Sequence, residues 1–232
     1  MSEAYRAGGE TADAGVRAFV QQVYGWMAAA LAVTGFVALA VSRSATMQQL
    51  IFGSRFVFFG LIIGELLLVM WLATRIGRMS AQTATTVFVG YSVLNGLTMS
   101  AIFLVYAQAT IATAFFVTAG LFAVMTLYGF FTKTDLTRMG NILGMALVGF
   151  VIASLVNLLL RSEGLYWLIT YAGVVIFTGL VGYDSQRIKE MALAGAGDDE
   201  EGRKYAIMGA LRLYLDFVNL FLLLLRVFGR RR

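Results

Sequence analysis

Three polar side chains interrupt the apolar run Ala206 to Arg226 (AIMGALRLYLDFVNLFLLLLR): Arg212, Asp216 and Asn219. Two further acids, Glu65 and Asp184, stand inside or at the end of other apolar runs. An ionised side chain in hydrocarbon costs at least about 2.5–3.5 kcal/mol on insertion scales, so such a residue is kept where something pairs with it or needs it. Two carboxylates held close in a low dielectric cannot both ionise. They share one proton and titrate as a pair. With an arginine beside them they form a pH-responsive latch that needs no histidine. The competing reading is a satisfied buried ion pair that only fixes helix register, and the residues alone leave both open. Glu65 lies near the middle of its run. It either lines a polar path or is protonated and hydrogen-bonded to Asn95 or Asn157.

The composition narrows the chemistry. The 232 residues are 59% apolar and only 13% charged, about half the charge of an ordinary soluble domain. There is no histidine and no cysteine. That excludes His-ligated metals, Ser-His catalysis, thiolate sites and disulfides. There is no proline either, so bends must come from glycine. Lys133, Lys189 and Lys204 fall in polar stretches, which argues against a retinal Schiff base inside the molecule.

Seven apolar runs must position these groups: Ala18 to Val41, Phe56 to Thr74, Thr83 to Tyr106, Ala109 to Thr132, Gly140 to Leu160, Leu165 to Asp184, and Ala206 to Arg226. Each approaches the ~20 residues needed to cross a bilayer as helix, and their continuity argues against barrel strands. The expected fold is therefore an all-α membrane protein of seven transmembrane helices. Residues 1–17 read as a polar cytosolic lead, 18–229 as one transmembrane domain and 230–232 as a basic tail. That tail suits anionic lipid rather than nucleic acid. The acidic run Asp198 to Glu201 reads as a solvated loop. Gly60 with Gly64, and Gly140 with Gly144, are spaced for close helix packing within the chain. A six-span alternative, with the last run re-entrant, would move the tail to the other face.

Lys and Arg outside the spans divide ten against seven. The N-terminal side holds the larger share, and without Arg226 and the tail the count is ten against three. The positive-inside rule then places the N-terminus in the cytosol. With that orientation, Arg75 ends the second span, Asp184 ends the sixth, and Asp216 lies about ten residues into the seventh, roughly 15 Å deep. All three approach one level of the cytosolic half. Arg212 lies one turn before Asp216 on the same helix face.

Gly-Tyr-Asp-Ser-Gln-Arg-Ile-Lys (Gly182 to Lys189), Leu-Tyr-Leu-Asp-Phe-Val-Asn-Leu-Phe (Leu213 to Phe221) and Leu-Leu-Arg-Val-Phe-Gly (Leu224 to Gly229) together resemble the Bax inhibitor family, and the chain looks like a bacterial member. The likeness extends over nearly the whole chain in span number and spacing. It implies a seven-helix bundle with the C-terminal helix central, in the bacterial inner membrane, acting as a pH-sensitive calcium leak channel. By the same resemblance, Asp184 and Asp216 are the pH-sensing and gating pair and weak calcium ligands. The latching arginine is Arg75, or Arg78 one turn on. Arg212 departs from the family pattern, and a pairing with Asp216 would weaken proton sharing. Glu65 and Asn219 are candidates for the ion path, calcium is the transported species, and no cofactor is implied. Some relatives are described as regulators of a membrane-bound protease.

Two other functions compete. A non-conducting membrane regulator needs no special residues. An intramembrane aspartyl protease would use two aspartates on adjacent spans, but the Gly-x-Gly-Asp expected around the second acid is Leu213-Tyr214-Leu215-Asp216 here. The chain is therefore read as not an enzyme.

Overall fold

The computed structural model describes residues 2–195, 197 and 199–229, with side chains placed from residue 14 onward. The side chains of 1–13, Asp198 and the tail 230–232 lie outside that description, and with them most of the expected polar lead and the basic tail. Among the described residues the chain is all helix apart from its links. The elements are α1 (Ser2–Ser42), α2 (Ala45–Phe52), α3 (Arg55–Arg75), a 3₁₀ turn (Ile76–Arg78), α4 (Ala81–Met99), α5 (Ala101–Val105), α6 (Gln108–Phe131), α7 (Thr137–Leu160), α8 (Glu163–Leu193) and α9 (Glu200–Phe228).

Among the described residues seven helical stretches are long and apolar enough to span a bilayer: Ala14–Ser42, Arg55–Arg78, Ala81–Val105, Gln108–Phe131, Thr137–Leu160, Glu163–Leu193 and Glu200–Phe228. The molecule is an all-α membrane bundle. The last span is unbroken over 29 residues, which removes the re-entrant alternative. Its apolar window is 72% buried, against 39% or less for the others. It is the most buried of the seven, although it carries Arg212, Asp216 and Asn219.

Two compact units share the chain. The first comprises Met1–Tyr106 and Glu190–Tyr214, the second Ala107–Lys189 and Leu215–Arg232. In the first, Phe19, Val23, Met27, Ala30, Thr34, Ala38 and Val41 form one buried stripe on α1, at the three- and four-residue steps that keep side chains on one helix face. α4 packs against both α1 and α3. Gly96 allows the α1 approach, since a Cβ there would lie 2.8 Å from the Thr34 carbonyl oxygen. Ser80 starts α4 by accepting the Thr83 N–H at 3.1 Å, satisfying one of the free donors of a first turn.

In the second unit, Ile176, Phe177 and Leu180 of α8 form one core with Leu220, Leu223 and Leu224 of α9. Leu143, Leu147 and Phe150 of α7 cover it. Gly129 of α6 lies against the Gly182 backbone, and Gly140 of α7 lies under the Tyr183 ring. Gly140 thus packs within the chain as expected. Gly60, Gly64 and Gly144 do not: a Cβ added at any of them would meet nothing within 4 Å. Gly60 is exposed, and Gly64 and Gly144 are half-buried.

The polar stretches also differ from expectation. Lys189 and Lys204 lie on α8 and α9 rather than in loops. Lys189 donates to the Phe130 carbonyl at 2.6 Å, and buried Lys204 pairs with Glu201. The acidic run is not simply solvated. Glu200 accepts the Ala81 N–H at 2.6 Å at the start of α4, and Asp199 accepts the Gly202 N–H at 2.9 Å at the start of α9. Both carboxylates sit where helix dipoles favour negative charge.

Candidate functional site

Asp184 and Asp216 are both buried, with 8% and 5% of their surface exposed, and both belong to the second unit. α8 continues to Leu193, so Asp184 lies two and a half turns before its helix ends rather than at its edge. The register of the α8–α9 core places the two acids. In that cluster α8 supplies 176, 177 and 180, and α9 supplies 220, 223 and 224. In an antiparallel pair such as 180 with 220, each step back along one helix matches a step forward on the other. One helical turn beyond Leu180 is Asp184, and one turn before Leu220 is Asp216. Each carboxylate thus lies one turn from a residue of the same α8–α9 core.

The rest of the Gly182 to Lys189 segment anchors α8 against α6, α7 and their link. Ser185 Oγ donates to Thr126 Oγ1 at 3.4 Å. Gln186 accepts the Leu136 N–H and donates to the Thr134 carbonyl, both at 2.8 Å. Arg187 donates to the Tyr183 hydroxyl at 2.9 Å. On α9, Phe217 meets Phe115 and Phe122 edge-on, with centroids 5.6 Å apart in both cases. Ser185 and Gln186, polar in sequence, thus have packing duties that hold α8 beside Asp184. Asn219 turns its amide to its own helix, donating to the Leu215 carbonyl at 2.8 Å.

Glu65 belongs to the first unit and is 9% exposed. It accepts from Thr98 Oγ1 at 2.8 Å and from Asn95 Nδ2 at 3.5 Å. Of the two asparagines weighed as its partner, Asn95 is the one it meets. Asn157 instead accepts the Ser162 N–H at 3.0 Å and ends α7. Thr98 also lies 3.0 Å from the Asn95 carbonyl. Its single proton has two acceptors, so the hydroxyl serves an ionised Glu65 directly, or accepts from a protonated Glu65 and donates onward.

Arg75 closes α3 and Arg78 closes the 3₁₀ turn, and both are exposed. Arg212 is half-buried on α9, one turn from Asp216. All three arginines belong to the first unit.

Sequence reasoning passed over Tyr214, which is fully buried. Its hydroxyl lies 2.7 Å from Thr34 Oγ1, and Thr34 donates its only proton to the Ser92 carbonyl at 2.9 Å. Tyr214 must therefore be the donor. Phe88 and Tyr91 present edge contacts to its ring at 5.7 and 5.8 Å. The signal was available: a tyrosine two residues before Asp216 in an otherwise aliphatic stretch needs a partner for its hydroxyl.

Comparison with known proteins adds the lineage. A family model described as "Inhibitor of apoptosis-promoting Bax1" matches residues 16–232. The inner membrane protein YbhL of Escherichia coli (strain K12) is 51% identical over 220 residues, covering 94% of each chain. A protein of Borreliella burgdorferi is 44% identical, covering 92% of each chain. A membrane protein of Streptococcus pyogenes serotype M1 is 35% identical, covering 94% of this chain and 95% of its own.

Proposed function

Because this chain belongs to the Bax inhibitor family of multi-pass inner membrane proteins, we propose that it is a pH-sensitive calcium leak channel gated by Asp184 and Asp216. The supporting observation is that Asp184 and Asp216 are both buried, each one turn from a member of the α8–α9 core, Leu180 and Leu220. Carboxylate oxygens are the hard ligands Ca²⁺ favours, and two of them make a weak site that can release its ion.

In this reading the pair shares a proton in its closed form. A charged pair draws in an arginine, Arg75 or Arg78, while Arg212 competes for Asp216. A change in protonation shifts that balance and moves α8 against α9. Glu65, held by Thr98 and Asn95, serves as a second polar station, and Asn219 borders the route. The protein is proposed to be non-enzymatic. The test is Ca²⁺ entry into liposomes between about pH 5 and pH 8, beside Asp184→Asn/Asp216→Asn. Flux that changes with pH in the native chain, and loses that dependence in the variant, supports the reading. No flux at any pH from folded protein overturns it.

One observation favours a second reading, a non-conducting regulator of a membrane partner such as a membrane-bound protease. The Gly60 and Gly64 face of α3 is open and uncommitted within the chain, as a partner helix would require. A stable co-purifying membrane protein, lost in Gly60→Leu/Gly64→Leu but kept in the aspartate variant, supports this reading.

A further inference from the structure

At the end of the first unit nearest the α8–α9 link lies an open cleft of about 490 Å³, within the size range of small-ligand sites (about 300–1,000 Å³). Its polar lining offers several acceptors beside the amides of Gln22 and Gln82 and the Arg203 guanidinium. Gln22 lines it, and its Oε1 is buried without a hydrogen-bond partner. Thr85 and Thr86 line it too, but each gives its hydroxyl proton to its own helix, to the Ala81 and Gln82 carbonyls at 2.9 and 3.0 Å. Toward a ligand, each can offer only lone pairs. Glu200 adds a carboxylate, and Trp26 adds an indole ring. Arg203 is the one cation in the lining, 3.3 Å from Glu200.

One unsatisfied amide oxygen, the threonine lone pairs, a carboxylate shared with the Ala81 N–H and Arg203, and an indole together suit a cationic donor. Arg203 beside them suits an anion joined to that donor. The cleft's place matters as well. Ala81 and Glu200 are the first residues of their spans, and Gln22 and Trp26 lie in the N-terminal half of the Ala14–Ser42 span. That is the level of lipid headgroups. We propose that this cleft binds a primary ammonium carried next to a phosphodiester, as in an aminophospholipid headgroup. The ammonium donates to Gln22, Thr85 and Glu200 against Trp26, and the phosphodiester meets Arg203. A quaternary ammonium has no N–H to give these acceptors, so headgroup methylation abolishes the fit. The site does not depend on ion conduction.

The test uses the full chain carrying Trp71→Phe and Trp167→Phe, which leaves Trp26 as the sole indole among three. The protein is placed in phosphatidylcholine vesicles, and the fraction of phosphatidylethanolamine is raised while Trp26 emission is followed. The expected result is a saturable change whose half-point rises about tenfold or more in Gln22→Leu and in Thr85→Val, each of which removes an acceptor for a charged donor. Glycerophosphoethanolamine added to phosphatidylcholine vesicles tests a soluble source. A saturable response to it, with none to the lipid, assigns the same site to a free ligand. Equal emission under all three conditions, in protein with native helix content, overturns the proposal. So does a lipid response that Gln22→Leu and Thr85→Val leave unchanged.

Discussion

Tyr214 and Thr34, 180 residues apart in the chain, bring their hydroxyl oxygens to 2.7 Å in a fully buried setting. The bond ties the residue two before Asp216 to α1, and through Thr34 to the Ser92 carbonyl of α4. Tyr214→Phe keeps the ring contacts and removes the donor, so it should cost about 1–2 kcal/mol. Thr34→Val leaves both the Tyr214 hydroxyl and the Ser92 carbonyl without this partner and should cost more. The double variant should cost less than the sum of the two, because both act on one bond. Unfolding midpoints in a fixed detergent measure all three.

The register that aligns Asp184 with Asp216 is open to direct test, because the chain has no cysteine of its own. Leu180→Cys/Leu220→Cys and Asp184→Cys/Asp216→Cys should each form a disulfide on mild oxidation. Leu180→Cys/Asp216→Cys, a full turn out of register, should not, since its Cα atoms would exceed the roughly 7 Å limit for bridging. Cleavage in the α8–α9 link followed by electrophoresis separates linked from unlinked halves.

Close helix approach in the second unit depends on particular glycines. A Cβ at Gly129 would collide with the Gly182 carbonyl oxygen, which is backbone and cannot swing aside. Gly129→Ala should therefore destabilise by about 1–3 kcal/mol. Gly144→Ala is the control. It meets nothing within 4 Å and should be neutral or up to about 1 kcal/mol stabilising through helix propensity.

Glu65 tests the difference between a polar station and an unsupported acid. Thr98→Val removes its 2.8 Å donor and should cost about 1–3 kcal/mol. Adding Glu65→Leu, which removes the group needing that donor, should recover most of the loss. If conduction runs past this residue, Glu65→Gln should lower Ca²⁺ flux while leaving the unfolding midpoint nearly unchanged.

Outside the spans, Asp135 precedes α7 and accepts from Thr137, whose hydroxyl and then N–H hold its carboxyl below the usual carboxylate range. The sign follows from that depression. The local stabilisation is present above the unfolded value of about 4 and is lost as pH falls through the lower folded value. Amide-exchange protection of Thr137 should exceed that of Asp135→Ala at neutral pH and converge with it in acid.

The run lengths alone determined that seven helices cross a bilayer, because about 20 apolar residues in a row have no other stable state in water. Asp184, Asp216 and Glu65 were equally legible, since an acid within such a run is conspicuous against its neighbours. Pattern could not say which polar residues were structural. Gln186, Lys189 and Glu200 look like solvated polar groups in sequence, yet each satisfies a backbone group on a helix or link at least 50 residues away. Gly60 and Gly140 carry the same spacing but have opposite fates, because only Gly140 has a ring pressed against it. Tyr214, Thr34 and Thr98 stayed hidden for the same reason. A hydrogen bond between distant spans depends on helix rotation and depth, and the packing of buried side chains sets both.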